Sequence, residues 1–92
     1  NNTIDGYAKY WDDKGNLINI VNYSNGVLHG PWKEYYSNGK IKYTLYYQYG
    51  LKDGYERWYH NNGIKKSEAF YEDNKIIIDI IRWDENGNLI YK

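Results

Sequence analysis

A 24-residue period governs this sequence. Gly6, Gly30 and Gly54 recur at that interval, and so do Gly15, Gly39, Gly63 and Gly87. Trp11, Tyr35, Tyr59 and Trp83 make a third column, Tyr23, Tyr47 and Tyr71 a fourth, and Lys9, Lys33 and Arg57 a fifth. Self-similarity at a fixed period of roughly 20–50 residues marks a repeat architecture, in which each unit buries its apolar side against the next. Several independent columns in one register, with no insertion, set that constraint here.

Turn residues cut each repeat in two. Lys14-Gly15, Asn25-Gly26, Asn38-Gly39, Tyr49-Gly50, Asn62-Gly63, Asp73-Asn74 and Asn86-Gly87 alternate at intervals of 11 and 13. Asn-Gly between hydrophobic runs signals a hairpin, because both residues accept the positive φ of a type I′ turn. Seven turns join eight strands, expected at 7–12, 16–24, 27–37, 40–48, 51–61, 64–72, 75–84 and 88–92. No segment carries apolar residues at helical spacing over three turns. The expected fold is all-β: a single-layer twisted antiparallel meander of about eight strands, built from 24-residue β-hairpin repeats. Residues 1–92 read as one domain, with repeats at about 6–29, 30–53 and 54–77 and a partial one at 78–92.

The turn also sets the register. A two-residue loop at Asn38-Gly39 places Trp32 opposite Leu45 and Gly30 opposite Tyr47, with Tyr36 and Ile41 on the same face. The Tyr47 ring would then cover backbone that Gly30 leaves bare. The other face would carry Lys33, Tyr35, Lys42, Thr44 and Tyr46.

Composition narrows the function classes. Aromatic residues make up 20% of the chain, with thirteen tyrosines and four tryptophans, which suits pleated, half-buried strands. Twelve basic residues balance twelve acidic ones, against the basic excess that nucleic-acid binding calls for and without support for membrane-surface attraction. The chain has no cysteine, so a disulfide framework and a thiolate zinc site are excluded and the redox compartment stays open. Its longest apolar run, Ile76-Ile77-Ile78, is far too short to span a bilayer, and no signal-peptide pattern opens the sequence. Localisation is left open. A chain this small builds a thin core, or one that a partner completes.

The first candidate binding feature is the aromatic column Trp11, Tyr35, Tyr59 and Trp83 beside the cations Lys9, Lys33 and Arg57. Equivalent side chains two strands apart lie about 9–10 Å from each other, so such a stripe suits an extended peptide, a glycan or a row of lipid headgroups. The structural alternative is a ladder that stabilises one layer, each cation over a neighbouring ring. The second is Ile76-Ile77-Ile78-Asp79-Ile80-Ile81, where alternation fails and both faces are apolar. Ile76, Ile77, Ile78, Ile80 and Ile81 read as a homodimer contact or a partner's docking face, or else as packed beneath Leu89 to Lys92.

Other residues read as structural. Asp12-Asp13-Lys14-Gly15-Asn16 and Asp84-Glu85-Asn86-Gly87-Asn88 place carboxylates near a turn glycine, but lack the alternating oxygens and distal glutamate of a Ca²⁺ loop. Short acidic residues there bond their own backbone. His29 and His60 do not recur in the repeat and have no nucleophile or orienting partner in the pattern, so both read as surface residues. The glycines fall at hairpin spacing with no helix behind them, unlike a phosphate-cradling loop. No catalytic residue, metal or cofactor is expected.

Gly30-Pro31-Trp32-Lys33-Glu34-Tyr35-Tyr36-Ser37-Asn38-Gly39-Lys40-Ile41 resembles the variant MORN repeat of bacterial proteins, a Gly-x-Trp-x-x-Tyr strand running into an Asn-Gly turn. Gly54-Tyr55-Glu56-Arg57-Trp58-Tyr59-His60-Asn61-Asn62-Gly63 repeats it with the tryptophan displaced by two. The likeness covers nearly the whole chain; in the fourth copy Ile78 stands where the glycine belongs, like a terminal capping variant. The resemblance implies a one-layer sheet of stacked hairpins, protein–protein or membrane-surface contacts, and no shared catalytic residues. Some bacterial members are labelled antitoxin components. Residues 83–90 also resemble, more weakly, the Tyr-Asp repeat of large shell-forming toxins. The expected function is a non-enzymatic protein-interaction or scaffold module, with a protein or a second copy as partner; the alternative is an antitoxin or immunity-type protein that neutralises a cognate toxin.

Overall fold

A computed structural model describes residues 3–90. Among them all regular structure is strand: β1 (Gly6–Trp11), β2 (Leu17–Ser24), β3 (Val27–Leu28), β4 (Gly30–Tyr35), β5 (Ile41–Gln48), β6 (Leu51–Lys52), β7 (Gly54–Tyr59), β8 (Lys65–Glu72) and β9 (Lys75–Arg82). They form one open antiparallel sheet in the order β1-β2-β4-β5-β7-β8-β9, with β3 beside β2 and β6 beside β5. The molecule measures 50 × 37 × 12 Å, which is one twisted layer. The meander is as the turn spacing dictates.

Two of the expected strands break. The stretch 27–37 splits at His29 into β3 and β4, and 51–61 splits at Asp53 into β6 and β7. The pairing shows why. From Tyr23 back to Ile20, β2 takes three steps, while its partner takes five, from Leu28 to Lys33. The two surplus residues bend the chain at Gly30, where φ is +110°; Gly54 repeats the bend with φ +107°. The Asn22 amide donates to the Pro31 carbonyl at 2.8 Å. A Cβ on Gly30 would lie 3.2 Å from the Asn22 Cβ, with no atom of Tyr47 within 4 Å. The sheet glycine therefore serves a bend against the preceding strand, with the space a Cβ would take there bordered by Asn22. Tyr47 packs on Trp32, ring centroids 5.9 Å apart.

The turns come in two kinds. Asn25-Gly26, Tyr49-Gly50 and Asp73-Asn74 have positive φ at both residues, as a type I′ hairpin requires. At Asn38-Gly39 only the glycine has positive φ. There the Tyr36 N–H donates to the Lys40 carbonyl and the Gly39 N–H to the Tyr36 carbonyl, both at 2.9 Å, which closes a three-residue loop. Loops at Asp12, His60 and Asp84 close the same way. An odd loop alone would shift the register by one, but Lys42 bulges out: Tyr35 pairs with Ile41 and Glu34 with Tyr43. The expected pairs Trp32↔Leu45 and Gly30↔Tyr47 follow, whereas Ile41 faces Tyr35 and not Tyr36.

The fourth copy differs at Ile78. From Tyr71 back to Glu68 is again three steps on β8 against five on β9, Ile76 to Ile81, but two separate irregularities share the shift. The strand stays unbroken. The expected strand at 88–92 is reduced to the single bridge Trp83↔Leu89, and Tyr91 and Lys92 lie outside the described residues.

The thin core lies on one face. Val21, Leu45 and Ala69, one per repeat in β2, β5 and β8, are buried to 2–3% exposure and Tyr43 to 8%. Both rims are laced between repeats. At one, the N–H groups of Gly26, Gly50 and Asn74 donate to the carbonyls of Ile4, Leu28 and Lys52. At the other, Tyr36 donates its hydroxyl to the Tyr59 carbonyl, and Asn38 and Asn62 donate side-chain amides to Asn61 and Glu85.

Candidate functional site

Each ring of the predicted stripe sits where a hairpin closes. Trp11 pairs with Leu17, Tyr35 with Ile41, Tyr59 with Lys65 and Trp83 with Leu89, each the last pair before a three-residue loop. Trp11 is 57% exposed, while Tyr35, Tyr59 and Trp83 are half-buried. The rings recur once per repeat, and the cations share their face, two residues back along each strand.

Two of those cations, Lys9 and Arg57, lean away from the stripe. The Lys9 ammonium lies 5.5 Å from the Tyr7 ring centroid and the Arg57 guanidinium 4.4 Å from that of Tyr55. Arg57 also bonds Glu68, which takes a second contact of 3.1 Å from Lys65. The hydrogen bond from Arg57, reinforced by Lys65, holds the Glu68 carboxyl below the usual glutamate range. Lys33 stands opposite Thr44 on β5 and Ile20 on β2. Two stripe rings border open clefts. One of about 410 Å³ gathers Trp83 with His60, Lys66, Arg82 and Ile90. Another of about 300 Å³ joins Tyr35 to Ile18, Asn19, Glu34 and Lys42.

The isoleucine stretch lies on β9, every residue of which is exposed. Ile76, Ile77, Ile78, Ile80 and Ile81 range from 40% to 54% exposure. Leu89 and Ile90 meet β9 only at its far end, where the Ile90 N–H donates to the Arg82 carbonyl at 2.9 Å. They leave the isoleucines bare.

The acidic turn residues are spent on their own loops. One Asp12 oxygen accepts the N–H groups of Lys14 and Asn16, both at 2.9 Å, and Asp84 repeats this with Asn86 and Asn88. Those backbone donors, Asn16 for Asp12 and Asn88 for Asp84 above all, hold both carboxyls below the ordinary aspartate range. The two histidines hold repeats together. His60 Nε2 lies 3.0 Å from the Trp83 carbonyl, a bond that needs the proton on Nε2 and copies the Tyr36–Tyr59 link. Nδ1 of His29 accepts the Tyr49 N–H at 3.1 Å, and the two rings pack 4.3 Å apart. Tyr49 has φ +48°, an uncommon conformation for so bulky a residue.

Sequence reasoning missed a polar network on the core face. The Tyr43 hydroxyl donates to Glu56 at 2.6 Å, Lys52 lies 3.5 Å from the same oxygen, and the Trp32 indole donates to Glu34 at 3.0 Å. Tyr43 also packs on Trp58, centroids 4.2 Å apart. Burial, and then the hydrogen bond to the Glu56 carboxylate, push the Tyr43 phenol well above its usual range. The signal for this face was the column Val21, Leu45, Ala69, apolar at the same 24-residue interval. Trp32 and Trp58 belong to adjacent columns of this face, Trp32 opposite Leu45 and Trp58 opposite Tyr43, so a tryptophan displaced by two stays on the same side.

No curated protein and no solved structure shows significant similarity to the chain. The family model of the MORN repeat variant matches residues 4–25, 28–49 and 52–77. Each match opens on the two residues before a sheet glycine and takes in one hairpin. Because these matches cover most of the chain, and the units they mark stack as hairpins in one sheet, the chain belongs to the MORN repeat variant family, a repeat type generally associated with protein and membrane contacts.

Proposed function

We propose that this chain is a non-enzymatic protein-interaction module, a flat scaffold that presents aromatic and apolar side chains to a protein partner. One observation carries the reading: among the described residues a single layer buries four hydrophobic side chains, while the isoleucines of β9 and rings such as Tyr7, Trp11, Tyr46 and Tyr55 stay exposed. Apolar surface on this scale marks a contact site in a soluble domain. The stripe residues Trp11, Tyr35, Tyr59 and Trp83 supply rigid rings, with Lys9 and Lys33 at their margin as cations outside the ion pairs seen among the described residues. Rings and cations of this kind make the anchors of protein interfaces.

The test is affinity purification from the native host, with wild type beside Trp11→Ala and Tyr35→Ala. A stoichiometric partner that the variants lose supports the stripe as contact. Equal recovery by wild type and variants removes the stripe, and no partner with wild type ends the reading. Neutralisation of a toxin is a special case of it, marked by rescue of growth on co-expression with a toxic neighbour-gene product.

A further inference from the structure

We infer that the first hairpin, β1–β2, swings on the rest of the sheet, hinged at the Asn25-Gly26 turn and free at the opposite rim. The swing is a property of the sheet and holds whether or not the stripe binds a partner. The backbone gives no hint of it. β2 pairs with β4 at Asn19↔Glu34 and Ile20↔Lys33, and β5 pairs with β7 at the equivalent Tyr43↔Trp58 and Thr44↔Arg57. The junctions differ in the side chains that cross them.

Three positions of the three-residue loop latch each later junction. The first is a long donor: Tyr36 gives its hydroxyl to the Tyr59 carbonyl, and His60 Nε2 lies 3.0 Å from the Trp83 carbonyl. The second is an asparagine: the amides of Asn38 and Asn62 donate to the carbonyls of Asn61 and Glu85, each at 3.0 Å. The third lays its side chain against the next turn. A Cβ on Gly63 would meet Lys40 within 4 Å, and one on Gly87 would meet Ile64. In the first loop these positions are Asp12, Lys14 and Asn16. Asp12 accepts the N–H groups of Lys14 and Asn16, and the Asn16 amide donates back to it at 3.1 Å. Lys14 stands exposed, and a Cβ on Gly39 would meet nothing within 4 Å. Among the described residues all three latches are missing at this junction.

The gap is visible. Two open clefts border Tyr35 here, of about 300 Å³ and about 290 Å³. Ile18 and Asn19 line one, Asn16 and Leu17 the other, each facing residues of the second hairpin. At the far end the junction is pinned. The chain itself crosses at Asn25-Gly26, the His29 N–H donates to the Asn22 carbonyl at 3.0 Å, and the Asn22 amide donates to the Pro31 carbonyl at 2.8 Å. A plate pinned at one rim and free at the other opens by rotation about a few turn residues. Such openings come easily where few contacts cross a boundary. The moving piece carries Trp11 and Lys9, so the swing sets the gap between the first ring of the stripe and the second.

Amide hydrogen exchange, followed by NMR on the 92-residue chain, reads the opening. Trp83 donates its N–H to the Lys66 carbonyl at 2.9 Å, and the repeat sets the Tyr35 and Tyr59 amides likewise against Ile18 and Lys42. The Tyr35 amide should exchange about tenfold faster than that of Tyr59. Amides bonded between β1 and β2 should exchange more slowly than Tyr35, because the hairpin moves whole. Asp12→Tyr combined with Lys14→Asn copies the second loop, and the new amide oxygen takes over the Asn16 N–H, as Asn38 does for Lys40 at 2.9 Å. This pair should slow Tyr35 about tenfold and leave Tyr59 unchanged. Tyr36→Phe should quicken Tyr59 alone, and thermal melts show that the variants fold. Equal exchange at Tyr35 and Tyr59 in wild type overturns the inference, as do β1–β2 amides as fast as Tyr35, which mean fraying strand by strand. So does a folded double variant that leaves Tyr35 unchanged, or a Tyr36→Phe chain that leaves Tyr59 unchanged.

Discussion

Gly30 and Gly6 occupy equivalent positions under different constraint. Both have positive φ, +110° and +99°, but a Cβ on Gly30 meets Asn22 at 3.2 Å while one on Gly6 meets nothing within 4 Å. Left-handed backbone costs an L-residue about 1–2 kcal/mol. Gly6→Ala should lose about 1 kcal/mol in urea unfolding and Gly30→Ala about 2–3; equal losses would mean that Asn22 moves aside freely. Glu68 and Tyr43 contribute to opposite limbs of the stability profile, Glu68 alongside Asp12 and Asp84 on the acid side. The Glu68 carboxyl titrates lower when folded than unfolded, so its pairing with Arg57 and Lys65 stabilises above the ordinary glutamate range and fades as pH falls through the folded value. Glu68→Gln should flatten that acid limb, by well under 1 kcal/mol because the cations are about a third exposed. The Tyr43 phenol titrates higher when folded, so its contribution is whole below the usual tyrosine range and is lost as pH rises beyond it. Tyr43→Phe should cost about 1 kcal/mol at neutral pH and lessen the alkaline loss, as urea midpoints across the pH range will show.

At the scale of the hairpin, the three-residue loop and the bulge act together. The loop adds one residue to the turn, and Lys42 adds one to β5, so the two offsets cancel over Gly30–Glu34. A one-residue slip turns every side chain to the opposite face. Deleting Lys42 therefore carries Tyr43, Leu45 and Tyr47 off the core face. Loss of near-UV ellipticity and of a cooperative urea transition is expected, and a wild-type midpoint would show that the bulge is dispensable. β9 obeys the same two-residue surplus by other means. Where Gly30 and Gly54 concentrate the bend in one left-handed residue, Ile78 cannot, and the shift spreads over two irregularities. That difference leaves an unbroken eight-residue strand with five isoleucines where the other repeats split in two.

Across the whole molecule, each hairpin touches only its neighbours, so stability is close to a sum of repeat and interface terms. The buried side chains sit in β2, β5 and β8, with β5 flanked by strands on both sides. Hydrogen exchange in the monomeric chain should be slowest in β5 and quicken toward β1 and β9. Uniform protection along the array would instead indicate one all-or-none unit. Flatness has a functional side too: a sheet one layer thick offers two broad faces and two edges, and few residues deeply enough buried to be closed to a partner.

The 24-residue period was enough to specify an all-β meander and its seven turns, because column spacing and alternation are local properties of the chain; the pairs Trp32↔Leu45 and Gly30↔Tyr47, expected from a two-residue loop, hold because the Lys42 bulge offsets the extra loop residue. It could not reveal that Asn38-Gly39 closes a longer loop than Asn25-Gly26, since the two dipeptides are identical and the turns differ in the φ of the asparagine and in the bulge at Lys42. The purpose of the sheet glycines was also out of reach, for it depends on Asn22 of the preceding strand coming close. So was the link between Tyr43 and Glu56, which lie thirteen residues apart on adjacent strands. Periodicity reports what each unit is made of. How the units lean on one another is decided by cross-strand geometry, which exists only once the sheet has formed.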